Sequence, residues 1–102
     1  MIMSDYDVRI SSAAQNDFLE ISERLKMLTP EEAAIHYDSI EKKAQVLVKA
    51  PDSCPSARDS QLRLRGYRML TIDDYIYFFV VSEKTVYIRR VLYSKRQYER
   101  LM

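Results

Sequence analysis

Two apolar stripes of one helical period, held apart by a single break, constrain this sequence most. Apolar residues recur at Ala14, Phe18, Ile21, Leu25 and Leu28, in steps of 4, 3, 4 and 3, the spacing of one helix face. They recur again at Ala33, Tyr37, Ile40, Ala44 and Leu47. Between the stripes, Thr29-Pro30-Glu31-Glu32 reads as a stop and a start. Thr29 suits an N-cap, Pro30 the first helical position, and Glu32 can reach back to complete a capping box. Ser11 or Ser12 offers the cap of the first helix, and Pro51 follows the second. Helices joined this tightly form an antiparallel hairpin with both stripes toward one core. The stripes are therefore read as core, not as a cofactor site.

The remainder has the period of strands. Tyr6–Ser11 alternates apolar and polar residues, as a half-buried strand does. Pro51–Ser56 is a loop by its turn residues. From Gln61 onward the pattern favours strands, with Tyr67–Ile72, Tyr75–Val81 and Thr85–Leu92 rich in β-branched and aromatic residues. Asp73-Asp74 and Ser82-Glu83-Lys84 separate them with hairpin lengths, although neither has the favoured Gly. Ser94–Leu101 fits a short closing helix. The expected architecture is α+β, in the order β-α-α-β-β-β. A helical hairpin packs on an antiparallel sheet in one domain spanning 1–102.

Several function classes fall away. No run approaches the roughly 20 apolar residues of a membrane span, and Met1–Asp5 lacks the regions of a secretory signal. One cysteine, Cys54, cannot form an internal disulfide, which fits a reducing compartment. The expected location is the cytoplasm, with no membrane partner. A zinc site takes about four ligands, usually Cys or His, whereas this chain has 1 His and 1 Cys. His36 is read as a partly exposed helix residue and Cys54 as a structural or incidental thiol. With Gly66 the only glycine, there is no Gly-rich phosphate loop. No metal or cofactor is expected.

The net charge of +1 hides an asymmetry. Residues 1–57 hold six Lys/Arg against ten Asp/Glu, and residues 58–102 hold ten against five. Clustered cations in the second half point to an anionic partner. In Leu62–Arg68, strand alternation places Arg63 and Arg65 on one side and Leu62 and Leu64 on the other, with Gly66 as a bulge or bend. The last strand ends in Arg89-Arg90-Val91-Leu92-Tyr93, and Lys95 and Arg96 follow it. Neighbouring strands would bring these segments onto one surface. Guanidinium groups bind phosphate bidentately, and tyrosines stack on bases. Such a surface can cleave RNA without metal or imidazole. A 2′-hydroxyl attacks the adjacent phosphate, a base takes its proton, and cations stabilise the transition state. The same arginines can instead only bind a partner protein, DNA or solvent.

Leu64-Arg65-Gly66-Tyr67-Arg68, Tyr75-Ile76-Tyr77-Phe78-Phe79 and Ile88-Arg89-Arg90-Val91-Leu92-Tyr93 together resemble the RelE/ParE toxin superfamily, and the element order matches over nearly the whole chain. The resemblance implies a type II toxin with a cognate antitoxin as partner. In the RelE branch it implies a ribosome-dependent mRNA endonuclease. Arg68 then contacts the scissile phosphate, and Arg96 corresponds to the arginine after the last strand. Tyr93 and Tyr98 lie where a catalytic His or Tyr is often placed, and Lys95 is a further candidate base. Arg63, Arg65 and Arg90 would bind RNA. The two lysines expected ahead of the motif fall on Asp59 and Gln61, a departure that removes the proton acceptor. The ParE branch implies the alternative, a DNA gyrase inhibitor without nuclease activity. The residues favour mRNA on the ribosome as target, with gyrase second.

Overall fold

The computed structural model describes residues 5–94. Its elements are β1 (Asp7–Ile10), α1 (Ser12–Leu25), α2 (Pro30–Lys49), a 3-10 turn (Pro51–Ser53), α3 (Ser60–Leu64), β2 (Arg68–Ile72), β3 (Tyr75–Ser82) and β4 (Thr85–Tyr93). The closing helix expected over 94–101 lies almost wholly outside the described residues.

Both helices start where their caps dictate. The Ser11 hydroxyl accepts from Ala14 N–H at 3.1 Å, and Thr29 Oγ1 accepts from Glu32 N–H at 3.2 Å. Each satisfies an orphan donor of a first turn. The Thr29 hydroxyl also donates to Glu32 Oε1 at 2.9 Å. Pro30 occupies the start of α2, where its missing N–H removes no helical bond.

The sheet has the order β1-β4-β3-β2. The last three strands form an antiparallel meander through loops at Asp73-Asp74 and Glu83-Lys84. Asp73 (φ 55°) and Glu83 (φ 56°) take the left-handed conformation there, the cost of tight loops without glycine. Antiparallel pairing does not extend to the whole sheet. β1 runs parallel to β4, with Asp7 opposite Thr85 and Ile10 opposite Ile88. The helices carry the chain from β1 to the far edge, and two hairpins bring it back. β4 consequently arrives pointing the same way as β1.

The hairpin covers the inner face. Ala14, Ile21, Leu25 and Leu47 are buried there with Ile72, Tyr77, Phe79, Val86, Ile88 and Val91. The α1 stripe is the one expected. In α2, Ile40, Ala44 and Leu47 join the core, but Tyr37 is 51% exposed. The helix instead turns His36 and Ser39 toward the Asp73 loop, with His36 Nδ1 3.1 Å from Asp73 Oδ2 and Ser39 Oγ donating to Oδ1 at 3.2 Å. A smaller core of Ala57, Leu62, Met69, Ile76, Phe78 and Leu92 lies on the outer face. No helix among the described residues is long and apolar enough to cross a membrane.

The Tyr77 hydroxyl is the one polar side-chain atom buried without a partner among the described residues. Burial, with Asp73 and Tyr75 adding to it, pushes its pKa up to about 12 from 10.0. A buried unpaired hydroxyl costs about 1–3 kcal/mol, so Tyr77→Phe is expected to leave stability unchanged or raise it by up to that amount in urea unfolding. The folded pKa exceeds the unfolded one, so the neutral phenol's contribution is intact below pH 10. It is lost as pH rises from about 10 to about 12, by roughly 2–3 kcal/mol. The phenylalanine variant should lack that alkaline loss.

Candidate functional site

The segment carrying Arg63 and Arg65 is a helix, not a strand. Asp59 caps α3, its carboxylate accepting from Leu62 N–H at 3.0 Å. At the other end Gly66, at φ 84°, closes the helix. Gly66 N–H reaches Arg63 O at 3.0 Å and Tyr67 N–H reaches Leu62 O at 3.0 Å. This is a Schellman cap, with glycine in the left-handed position. Gly66 is thus a helix terminator, not a bulge. The alternation expected of Leu62 and Leu64 fails accordingly, for Leu62 is 3% exposed and Leu64 86%. Arg63 and Arg65 are both exposed, and Arg63 Nη1 donates to Arg58 O at 3.4 Å.

Arg68 faces the other way. It pairs with Phe79 in the sheet, and Phe79 belongs to the inner core. Its guanidinium Nη1 donates to Cys54 O at 2.7 Å and to Asp52 O at 3.3 Å, clamping the loop after α2 to the start of β2. Pro55–Ala57 continues that attachment, with Ala57 N–H on Tyr67 O and Met69 N–H on Pro55 O, both at 2.9 Å. The Cys54 thiol beneath is buried. Burial raises its pKa, only partly countered by the charge of Arg68, so it is a poor nucleophile.

Arg90 is held at a third place. Its Nε donates to Asp17 Oδ2 at 2.8 Å and its Nη2 to Oδ1 at 3.0 Å. Val91 N–H donates to the same Oδ2 at 2.9 Å. The Asp17 side chain is only 8% exposed. Bonding to Asp17 pushes the Arg90 pKa further up. Tyr93 lies edge-to-face on Tyr75 at 5.8 Å, with the Arg24 guanidinium 5.3 Å over its ring. A nearly filled crevice lined by Asp17, Glu20, Arg24, Tyr75 and Tyr93 joins the two sites. Lys95, Arg96 and Tyr98 lie outside the described residues.

The expected single basic surface is therefore divided. Arg63 and Arg65 are exposed on α3, Arg68 is bonded to backbone on the inner side, and Arg90 is bonded to Asp17. The arginines expected to share one surface, Arg63, Arg65, Arg68 and Arg90, are thus held at separate places. Sequence reading missed Asp17 and Arg24. Asp17 sits one residue before Phe18 of the apolar stripe, and a carboxylate there signalled a cation to be met inside.

This arrangement of a helical hairpin over a four-strand sheet is that of known toxins. The chain superposes on the chromosomal ParDE toxin–antitoxin system of P. aeruginosa with a TM-score of 0.68 at 19% identity, covering 88% of this chain and 97% of that one. It superposes on the RelBE2 toxin–antitoxin complex of Mycobacterium tuberculosis with a TM-score of 0.55 at 19% identity, covering 90% and 94%. No curated protein matches it in sequence. Residues 8–98 match the ParE toxin of the type II toxin–antitoxin system parDE, and the chain belongs to that family.

Asp17→Ala is expected to destabilise by about 3–5 kcal/mol in denaturant unfolding, because the partly buried Arg90 loses its carboxylate and the buried Val91 N–H loses its acceptor. Pairing it with Arg90→Met should recover part of that loss, since the cation is removed as well.

Proposed function

We propose that this ParE-family toxin arrests growth by binding DNA gyrase, and that it does not cut RNA. The state of Arg68 carries this reading. An arginine that stabilises a scissile phosphate needs its donors pointed at the phosphate. Here the guanidinium lies on the inner side of the sheet, where its Nη1 meets two backbone carbonyls. The positions where a nuclease of this superfamily would carry lysines hold Asp59, whose carboxylate is spent on a helix cap, and Gln61, which is no base. Binding requires none of these groups. The site of action is the cytoplasm, where gyrase meets its DNA.

The partner in restraint is a cognate antitoxin. The similar structures of P. aeruginosa and M. tuberculosis are a toxin–antitoxin system and a toxin–antitoxin complex, which supports such pairing here. An acidic, extended segment would complement the exposed arginines of the second half.

Purified toxin is expected to block supercoiling by purified gyrase and to leave mRNA intact in a ribosome-programmed reaction. Cleaved mRNA together with unimpeded supercoiling would overturn the proposal. As a clamp on the 52–54 loop, Arg68→Ala should lose about 1.5–3 kcal/mol of stability. Its gyrase inhibition per folded molecule should not change.

A further inference from the structure

We propose that the outer face of the sheet, opposite the helical hairpin, binds the phosphate backbone of double-stranded DNA. The sheet register defines this face. Val8, Val86 and Val81 lie in one row across β1, β4 and β3, and all three pack in the inner core. The next row, Arg9, Tyr87 and Val80, therefore points outward. The bulge between Phe78 and Phe79 shifts the register at Arg89, and its guanidinium lies 5.6 Å over the Tyr87 ring. That stacking holds an exposed cation in place at little cost to its hydrogen-bonding edge. Arg9, also exposed, keeps one contact, Nε to Asp7 Oδ2 at 3.2 Å.

α3 extends the same side. It rests through Leu62 on Met69, Ile76, Phe78 and Leu92, and carries Arg63 and Arg65 exposed at its end, with exposed Arg58 just before it. Five arginines thus mark one side of the molecule. The helix layer opposite holds seven acidic residues against five basic ones over residues 12–49.

What this face lacks, as well as what it has, selects its ligand. Between Thr85 and Ile88, β4 is paired on both sides, so a peptide cannot extend the sheet at the strand that carries Tyr87. The apolar residues of the strands are buried beneath α3, the uncovered row offers only half-buried Val80 and Tyr87, and Leu64 on α3 is the one large apolar side chain on this side that the described residues leave exposed. A protein partner draws affinity from apolar anchors, whereas a nucleic-acid backbone is bound through phosphate charge alone. The choice of DNA over RNA rests on the gyrase reading above, because gyrase presents the toxin with duplex DNA.

The test is fluorescence anisotropy of the intact toxin with a labelled DNA duplex across a salt series. The expected result is binding at about 50 mM salt that weakens steeply as salt rises. Arg9→Ala with Arg89→Ala should weaken binding about tenfold and make the log–log salt slope shallower by about two. Arg9→Lys with Arg89→Lys should retain most of it, and circular dichroism confirms that both variants fold. Absent binding at about 50 mM, or unchanged affinity in the double alanine variant, overturns the proposal. So does displacement of the DNA by polyglutamate at equal charge, or tighter binding to an RNA duplex of the same length. If gyrase supercoiling is unaffected while DNA binding persists, the functional proposal falls and this one stands.

Discussion

The carboxylate of Asp17 is the point on which the arrangement of layers depends. β1 pairs with β4 only as far as Ile88, so the edge of β4 beyond it would be open. α1 closes that edge with polar groups rather than with a strand. Ser11 N–H donates to Ile88 O at 3.0 Å, and the Ser11 hydroxyl donates to Arg89 O at 2.8 Å while capping α1. One turn and a half later, Asp17 accepts Val91 N–H and the Arg90 fork. A buried carboxylate is costly unless both oxygens are met, and here both are. Removing either partner exposes the other to that cost, which fixes where α1 sits along β4.

That anchoring also explains why two neighbouring arginines have unrelated fates. The bulge opposite Phe78 and Phe79 inserts an extra residue in β4, and bulges re-aim side chains. Arg89 ends over Tyr87 on the outer face. Arg90, opposite Phe78, turns to Asp17 on the helix side. A count of charge along the chain treats them alike, yet only one remains available to a partner. Arg68 is committed in a similar way, because its Nη1 fastens the carbonyls of Asp52 and Cys54 in the loop after α2.

The fold was largely legible in sequence where signals act over short range and repeat. The α1 stripe, the caps at Ser11 and Thr29, Pro30 and the three-strand meander all follow from local periodicity and turn chemistry. The failures have identifiable causes. Tyr37 matches the helical stripe, but α2 rotates so that His36 and Ser39 can meet the strained Asp73 loop, an interaction 34 to 37 residues away in sequence. The parallel pairing of β1 depends on topology that no local pattern encodes. Leu62-Arg63-Leu64-Arg65 alternates as a strand does, yet five helical residues are too few for a period to show. The cap residues at either end decide the matter instead. The candidate site was least legible, because it depended on which side of the sheet each arginine faces.

Asp59 links the fold of this segment to its chemistry. The resemblance to the RelE branch asks for a lysine at this position, and its absence reads at first as a missing functional group. In the structure the residue has a different duty, since its carboxylate accepts Leu62 N–H at the start of α3. A lysine there would remove a cap worth about 1 kcal/mol and set a positive charge against the positive end of the helix. α3 in turn is what places Leu62 over Met69, Ile76 and Phe78, sealing the outer core. The same position cannot both cap this helix and present a cation to RNA. In this chain the helix holds it, and the exposed positive charge moves to Arg63 and Arg65 on α3 and to Arg9 and Arg89 on the sheet. These cations are spread over α3 and the sheet, the arrangement on which the proposed contact with an extended anion rests, rather than gathered at one point.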